Sequence, residues 1–415
     1  MAFLEKYKKL FLIIGFITIT IILGYIIFSL FFKPGVSPIQ PTATTTSPTT
    51  GLPTANEGNQ QIINDQEGNI TLPGLSADSE IITSGPSNVA HGGLTKSTQI
   101  NDDESFGLTL SSNGSDLQYY NKDDNKFYRI DKNGEAQPLS DKSFYNVEKI
   151  TWANNKSKAV LEYPDGANII YDFDNDKQIT LPSHWKDFDF SPSDDKIVMK
   201  SIGLDPDNRW LAIAEDDGSR VRAIEMIGTK DSTVYPSWSP NNQMIAMYTE
   251  GIDFNRQEVY FVGLNDENFK STVIEGRGFQ PKWSPKGDKL TYSVYSSDND
   301  MKPQLWAVNS QGNNIGTQRK KLGLETWASK CTFSGETEMF CAVPESLEKG
   351  AGLFPELAEN SIDNLYKVDI NTGLKKLVAI PDKKCNMSNL VVSENGKYLY
   401  FTDNADNHLH RINLK

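Results

Sequence analysis

Histidines, cysteines and paired carboxylates are the residues of this chain whose types invite chemistry. There are four histidines, His91, His184, His408 and His410. His408 and His410 alternate along one predicted strand, so both can face the same side, as metal ligands do. No third ligand is suggested near them, and they are expected to be ordinary strand residues rather than a metal site. The acidic pairs Asp123-Asp124, Asp194-Asp195 and Asp216-Asp217 fall in predicted turns. None has the ordered Asp/Asn/Gly/Glu spacing of a calcium loop, so they read as solvated turns. No G-x-S-x-G elbow, phosphate loop or H-E-x-x-H helix occurs in the sequence. A carboxylate pair assembled from distant segments is not excluded, but the expectation is no enzyme, with no catalytic, metal or cofactor-binding residue.

Cys331 and Cys341 flank the turn FSGETEMF, bracketed by Phe333 and Phe340. Counting outward puts them opposite or one step from opposite, within the roughly 4.5–5.5 Å reach of paired strand residues. An oxidising compartment permits a disulfide between them, with Cys385 left over. A slip of one residue would turn their side chains to opposite faces and leave two thiols.

These residues depend on elements that repeat. WSPKGDKL begins at Trp283 and WSPNNQMI at Trp238, and five further segments share the frame: LSSNGSDL at Leu110, WANNKSKA at Trp152, FSPSDDKI at Phe190, FSGETEMF at Phe333 and VSENGKYL at Val392. Each is an apolar residue, a small residue, a polar turn and an apolar residue seven positions after the first. The small residues are spaced 42, 38, 48, 45, 50 and 59 apart. After each turn come a second strand (KAVLEY, MIAMY), a third (NIIYDFD, EVYFVGL) and, in most units, a short fourth (KQITL, LKKLVAI). They are rich in β-branched and aromatic residues and separated by Asp/Asn/Gly turns. Two β-sandwiches would give even strand spacing but no reason for one turn to recur in one frame. Four antiparallel strands repeating every 40–50 residues predict an all-β, seven-bladed propeller.

WSPKGDKL and WSPNNQMI resemble the W-S-P-D-G-x-x-[IL] turn of TolB-like, WD-type β-propeller repeats, and the resemblance covers about residues 96–415, strongly in the units at 191, 239 and 284 and weakly in the other four. It implies an extracytoplasmic interaction platform, or a propeller guarding a peptidase domain. The second option needs a hydrolase domain, and no room for one is expected after the last unit.

Ahead of the repeats, residues 10–32 form a run of 23 positions without a charge. As a helix it would be about 35 Å long, enough to cross a bilayer core of roughly 30 Å. Lys6, Lys8 and Lys9 precede the run, which predicts a cytoplasmic N-terminus and an external remainder. A cleaved signal peptide would have a shorter apolar region ending in small residues; this run ends in FSLFFKPG. The expected organisation is a cytoplasmic tail at 1–9, a transmembrane anchor at 10–32, a Pro/Thr-rich disordered linker at 33–92 and the propeller at 93–415. With 41 Lys+Arg against 54 Asp+Glu, the chain carries −13, which argues against binding nucleic acid through its phosphates.

One rim of such a propeller carries the loops that enter the first strands and those joining second to third strands. Tyr145, Trp185, Tyr235, Arg277, Phe279 and Trp327 are expected near that rim, as binding residues or as rings closing the gaps between blades. The longest insertion, Pro344 to Asp363, reaches the same rim as a binding arm or a bland loop. The favoured function is a membrane-tethered module binding a protein or a cell-wall polysaccharide. The alternative is a glycan-active lyase or hydrolase with carboxylates in the funnel.

The last unit stops at its third strand, HLHRINLK, while GLTKSTQIND before the first unit reads as a strand without a sheet. Pairing Thr95–Ile100 with His408–Leu414 would close the ring from both ends of the domain.

Overall fold

A computed structural model describes Thr18, Leu23, residues 85–265 and residues 267–415. The expected cytoplasmic tail, anchor and most of the linker lie outside the described residues. Among the described residues no helix is long and apolar enough to cross a membrane.

The described residues form seven sheets, antiparallel but for one added strand, the blades of an all-β propeller. Blade 1 runs from Ser105–Leu110 to Ala136–Pro138, blade 2 from Lys149–Trp152 to Lys177–Leu181 and blade 3 from Trp185–Phe190 to Arg222–Met226. Blade 4 runs from Val234–Pro236 to Thr272–Glu275, blade 5 from Arg277–Trp283 to Lys320–Lys321 and blade 6 from Cys331–Phe333 to Lys375–Pro381. Blade 7 holds Met387–Val392, Tyr398–Asp403 and Leu409–Asn413. Within a blade the strands meander in sequence order, with the first strand nearest the axis.

Local chemistry explains the recurring turn. In WSPNNQ, the Ser239 hydroxyl accepts the amides of Gln243 and Met244 at 3.2 and 2.9 Å and donates to Asn241. Three residues after the small residue the backbone turns left-handed, at Gly114, Lys156, Asp194, Asn242, Gly287 and Gly396. Glycine, asparagine and aspartate accept that conformation most readily. The leading tryptophan reaches backwards: the indole N–H of Trp152 donates to the Gly107 carbonyl, and that of Trp283 to the Ser237 carbonyl, each in the preceding blade.

The core lies between blades. Tyr120 and Phe127 of blade 1 pack on Leu161 and Tyr171 of blade 2, and Met247 and Phe261 of blade 4 on Phe279 and Tyr292 of blade 5. Tyr400 and Leu409 of blade 7 meet Leu117 and Tyr119 of blade 1, so the packing runs around the whole ring. Each fully buried ring contributes on the order of 2 kcal/mol relative to exposure.

The ring is closed by the N-terminal segment. Ser97–Gln99 pairs antiparallel with the last strand, Ser97 opposite Ile412 and Gln99 opposite His410. The segment does more than expected, because Leu94–Thr95 first adds a parallel fifth strand to blade 6. Thr95 therefore pairs with Pro381 rather than with blade 7. Residues ahead of the expected boundary at 93 are already tied down: the Ala90 amide donates to the Asn413 carbonyl and that of Gly92 to the Val378 carbonyl.

Cys331 lies directly opposite Cys341 across the first two strands of blade 6, and their sulfurs are bonded. Cys385 is a buried free thiol, its pKa pushed up to about 12 by burial and the nearby Asp403 carboxylate.

Candidate functional site

Antiparallel meandering puts the serine turns and the third-to-fourth-strand turns on one face. The second-to-third-strand loops and the loops entering each blade lie on the other, here called the loop face. The six aromatic and arginine residues anticipated there do not form one group, although Tyr235 and Phe279 touch. Trp185 and Phe279 are correctly placed in sequence but buried, sealing blade 2 to blade 3 and blade 4 to blade 5. Their rings are therefore unavailable to a partner, because an apolar ring arriving between two sheets is drawn into the gap. Tyr235 packs edge-on to Phe279 at 5.5 Å between ring centres. Arg277 lies against Gly251, with its guanidinium at the Arg256 carbonyl. Tyr145 alone of the six stands well out, 69% exposed.

Trp327 has a different role. It is only 7% exposed and packs on Leu347, Ala351 and Ala358 of the long insertion. That contact fastens residues 344–363 to blade 6. Further bonds hold the insertion on both sides: the amides of Gly350 and Gly352 donate to the carbonyls of Asp300 and Met301 in blade 5, and the Asn386 side chain of blade 7 donates to the carbonyls of Ala358 and Glu359. Beside it opens a cleft of about 230 Å³ lined by Gln280, Trp327, Ser329, Lys330, Pro355, Ala358, Glu359, Asn386 and Asn404.

Beneath the cleft runs a buried polar chain that sequence reasoning missed, because its members come from separate blades. The Lys330 ammonium contacts the Asp363 carboxylate at 2.6 Å and the Asn386 side-chain oxygen at 2.8 Å. Asp363 is wholly buried, and burial pushes its carboxyl up against the pull of Lys330. The Asn386 amide N–H donates to Asp403 at 2.9 Å. Asp403, Asp406 and His410 then each offer one ligand atom within 4.8 Å of the others. Of the two histidines only His410 belongs to this group, and its partners come from the end of the preceding strand, Asp403, and the loop after it, Asp406. His408 also approaches Asp406, at 3.6 Å. Two carboxylates and an imidazole are a donor set for a divalent cation.

Across the ring, Lys200 is buried against Asp187 and Asp231 at 2.9 and 3.2 Å, and Lys149 contacts Asp187 at 2.9 Å. Burial opposes ionisation of Asp187, but these ammonium groups hold it down at about 2. A cleft of about 370 Å³ opens beside them, between Lys149, Tyr235, Ser237 and Pro281. On the inner strands, burial pushes Asp189 up to about 6 even though it accepts the amides of Trp238 and Phe190. Burial alone pushes Lys282 down to about 8, its ammonium donating to the Cys331 carbonyl at 2.6 Å. Both values lie in the range useful for proton transfer near neutrality.

A scan of protein-family models finds no match, and no curated protein matches significantly in sequence. Solved structures do match in shape. An oligogalacturonate lyase in complex with manganese aligns with a TM-score of 0.50 at 12% identity, over 80% of this chain and 97% of that one. An oligogalacturonate lyase from Vibrio parahaemolyticus gives 0.51 at 10% identity, over 79% and 96%. A streptogramin B lyase gives 0.50 at 10% identity, over 77% and 97%. At such identities the likeness establishes the fold alone: the chain is a seven-bladed β-propeller.

Proposed function

We propose that this chain is a membrane-tethered, extracytoplasmic propeller of the TolB-like kind that binds a protein or a cell-wall polysaccharide through its loop face. The observation that carries this reading is the insertion 344–363, which is fastened on both sides yet keeps Leu353, Phe354 and Leu357 in solvent, 47%, 54% and 44% exposed. A loop so fixed has already lost the conformational entropy that binding would otherwise cost. The uncharged run 10–32 and the lysines before it support the anchor. Protease added to intact cells should release a propeller fragment of about 35 kDa; full protection until lysis would reverse the orientation.

The second reading, a glycan-active enzyme, draws on Asp189 and Lys282 as proton-transfer groups and on the lyases that share the fold. The full chain, incubated with wall polysaccharide and with polygalacturonate, separates the two. Retention without product favours the module; new reducing ends or unsaturated products favour the enzyme.

A further inference from the structure

Large apolar side chains left in solvent include five on the loop face of blades 4 and 6. Ile252 and Phe254 are 47% and 69% exposed on the second-to-third-strand loop of blade 4; Leu353, Phe354 and Leu357 occupy the equivalent loop of blade 6. The blade 5 loop joins them into one wall. Asn255 and Ser297 exchange two hydrogen bonds, at 2.6 and 2.9 Å, and Gly352 binds the Met301 carbonyl at 2.7 Å.

This wall is acidic. Its lysines and Arg256 are engaged, Arg256 by Asp253, Lys302 by Glu325 and Lys349 by Asp300, while Arg277, against Gly251, makes no ion pair among the described residues. Asp298, Glu348, Glu356 and Glu359 are exposed carboxylates with no ion pair among the described residues. The cleft beside the wall, about 230 Å³, has the exposed Glu359 on its lining, and the Lys330 ammonium there is paired with Asp363. A roomy cleft with an exposed acidic residue suits a long cationic side chain.

We propose that this wall docks a protein segment presenting apolar side chains flanked by lysine or arginine, one of which enters the cleft at Glu359. The assignment rests on the binding-module reading and names its partner class. Charge complementarity selects that occupant, since an anionic lipid surface or polyuronate would meet the same carboxylates and be repelled.

The test uses the full chain in phosphatidylcholine nanodiscs, with empty nanodiscs as blank, and a short fluorescent peptide of leucine and lysine. Matched leucine–glutamate and serine–lysine peptides are the controls. The leucine–lysine peptide should bind at least about tenfold tighter than either control and weaken with salt. Phe354→Ser, and separately Glu356→Gln with Glu359→Gln, should each reduce binding by about tenfold with the melting temperature unchanged. Asp174→Asn, Glu336→Gln and Glu394→Gln together, on the turn face, should leave it intact. Equal binding of all three peptides, or equal loss from the turn-face substitutions, would overturn the proposal. So would absence of peptide binding by a chain that still sediments with wall polysaccharide, an outcome that spares the module reading. Release of glycan products without peptide binding would overturn both.

Discussion

Asp189 shows how a single carboxyl can work against the fold that holds it. Its folded pKa of about 6 lies above the ordinary carboxylate value, so between about pH 4 and 6 the folded state binds more protons than the unfolded one. Stability must therefore fall as pH rises through that window, by roughly 2–3 kcal/mol, and stay lower above it. Asp189→Asn cannot ionise and keeps an oxygen for the Trp238 amide. Its denaturation midpoint should lose the slope between pH 4 and 6 and exceed that of the parent at pH 7. An unchanged slope in urea titrations would assign the pH dependence to another group. Asp189 could not have been singled out in the sequence: its shift comes from burial, and one of the amides that oppose it belongs to a residue one blade away.

At the scale of the element, the serine turn and the cysteine pair were both legible beforehand, for different reasons. The turn is local, so its serine, its left-handed fourth position and the apolar residue after it all leave marks within eight residues. The cysteine pair was legible because a hairpin fixes which residues face each other. What escaped was polar packing that strand counting does not reveal, such as Lys330 with Asp363 within blade 6, Lys330 with Asn386 between blades 6 and 7, and Asp403 and Asp406 with His410 around one loop of blade 7. Burial of Trp185 and Phe279 between blades was one of the two readings their positions allowed, because ring position along the chain does not by itself separate a gap-closing ring from a binding one. Ser239→Ala should leave the Gln243 and Met244 amides without their acceptor and cost about 1–3 kcal/mol, read as a lower melting temperature. A non-reduced digest should yield one linked species carrying Cys331 and Cys341, and reduction should cost roughly 2–3 kcal/mol for so short a loop. Free thiols at both positions would dispose of the bond.

The whole molecule depends on closure. All seven blades, their order and the use of the N-terminal segment to complete blade 7 followed from counting strands, since a ring with a missing strand must take one from elsewhere. The parallel pairing of Leu94–Thr95 with blade 6 did not follow, because no repeat predicts an addition outside the repeats. Deleting residues 93–102 removes both pairings and should lower the melting temperature of the whole ring sharply. Deleting 34–60 should leave it unchanged. Equal melting temperatures would mean that interblade packing alone holds the ring shut.

The entry point of that segment has a mechanical consequence. His91 and Gly92 lie beside Ser334, Gly396 and Lys415, on the turn face, opposite the wall of Phe254 and Phe354. From there Leu94–Thr95 runs along the outer edge of blade 6, and Ser97–Gln99 along that of blade 7. A pull on the chain from its N-terminal side acts along these strands. It therefore loads their hydrogen bonds together in shear instead of peeling them one by one. The clasp that completes the ring is then also the joint that meets such a force, and the force is shared between two blades before it reaches the rest of the wheel.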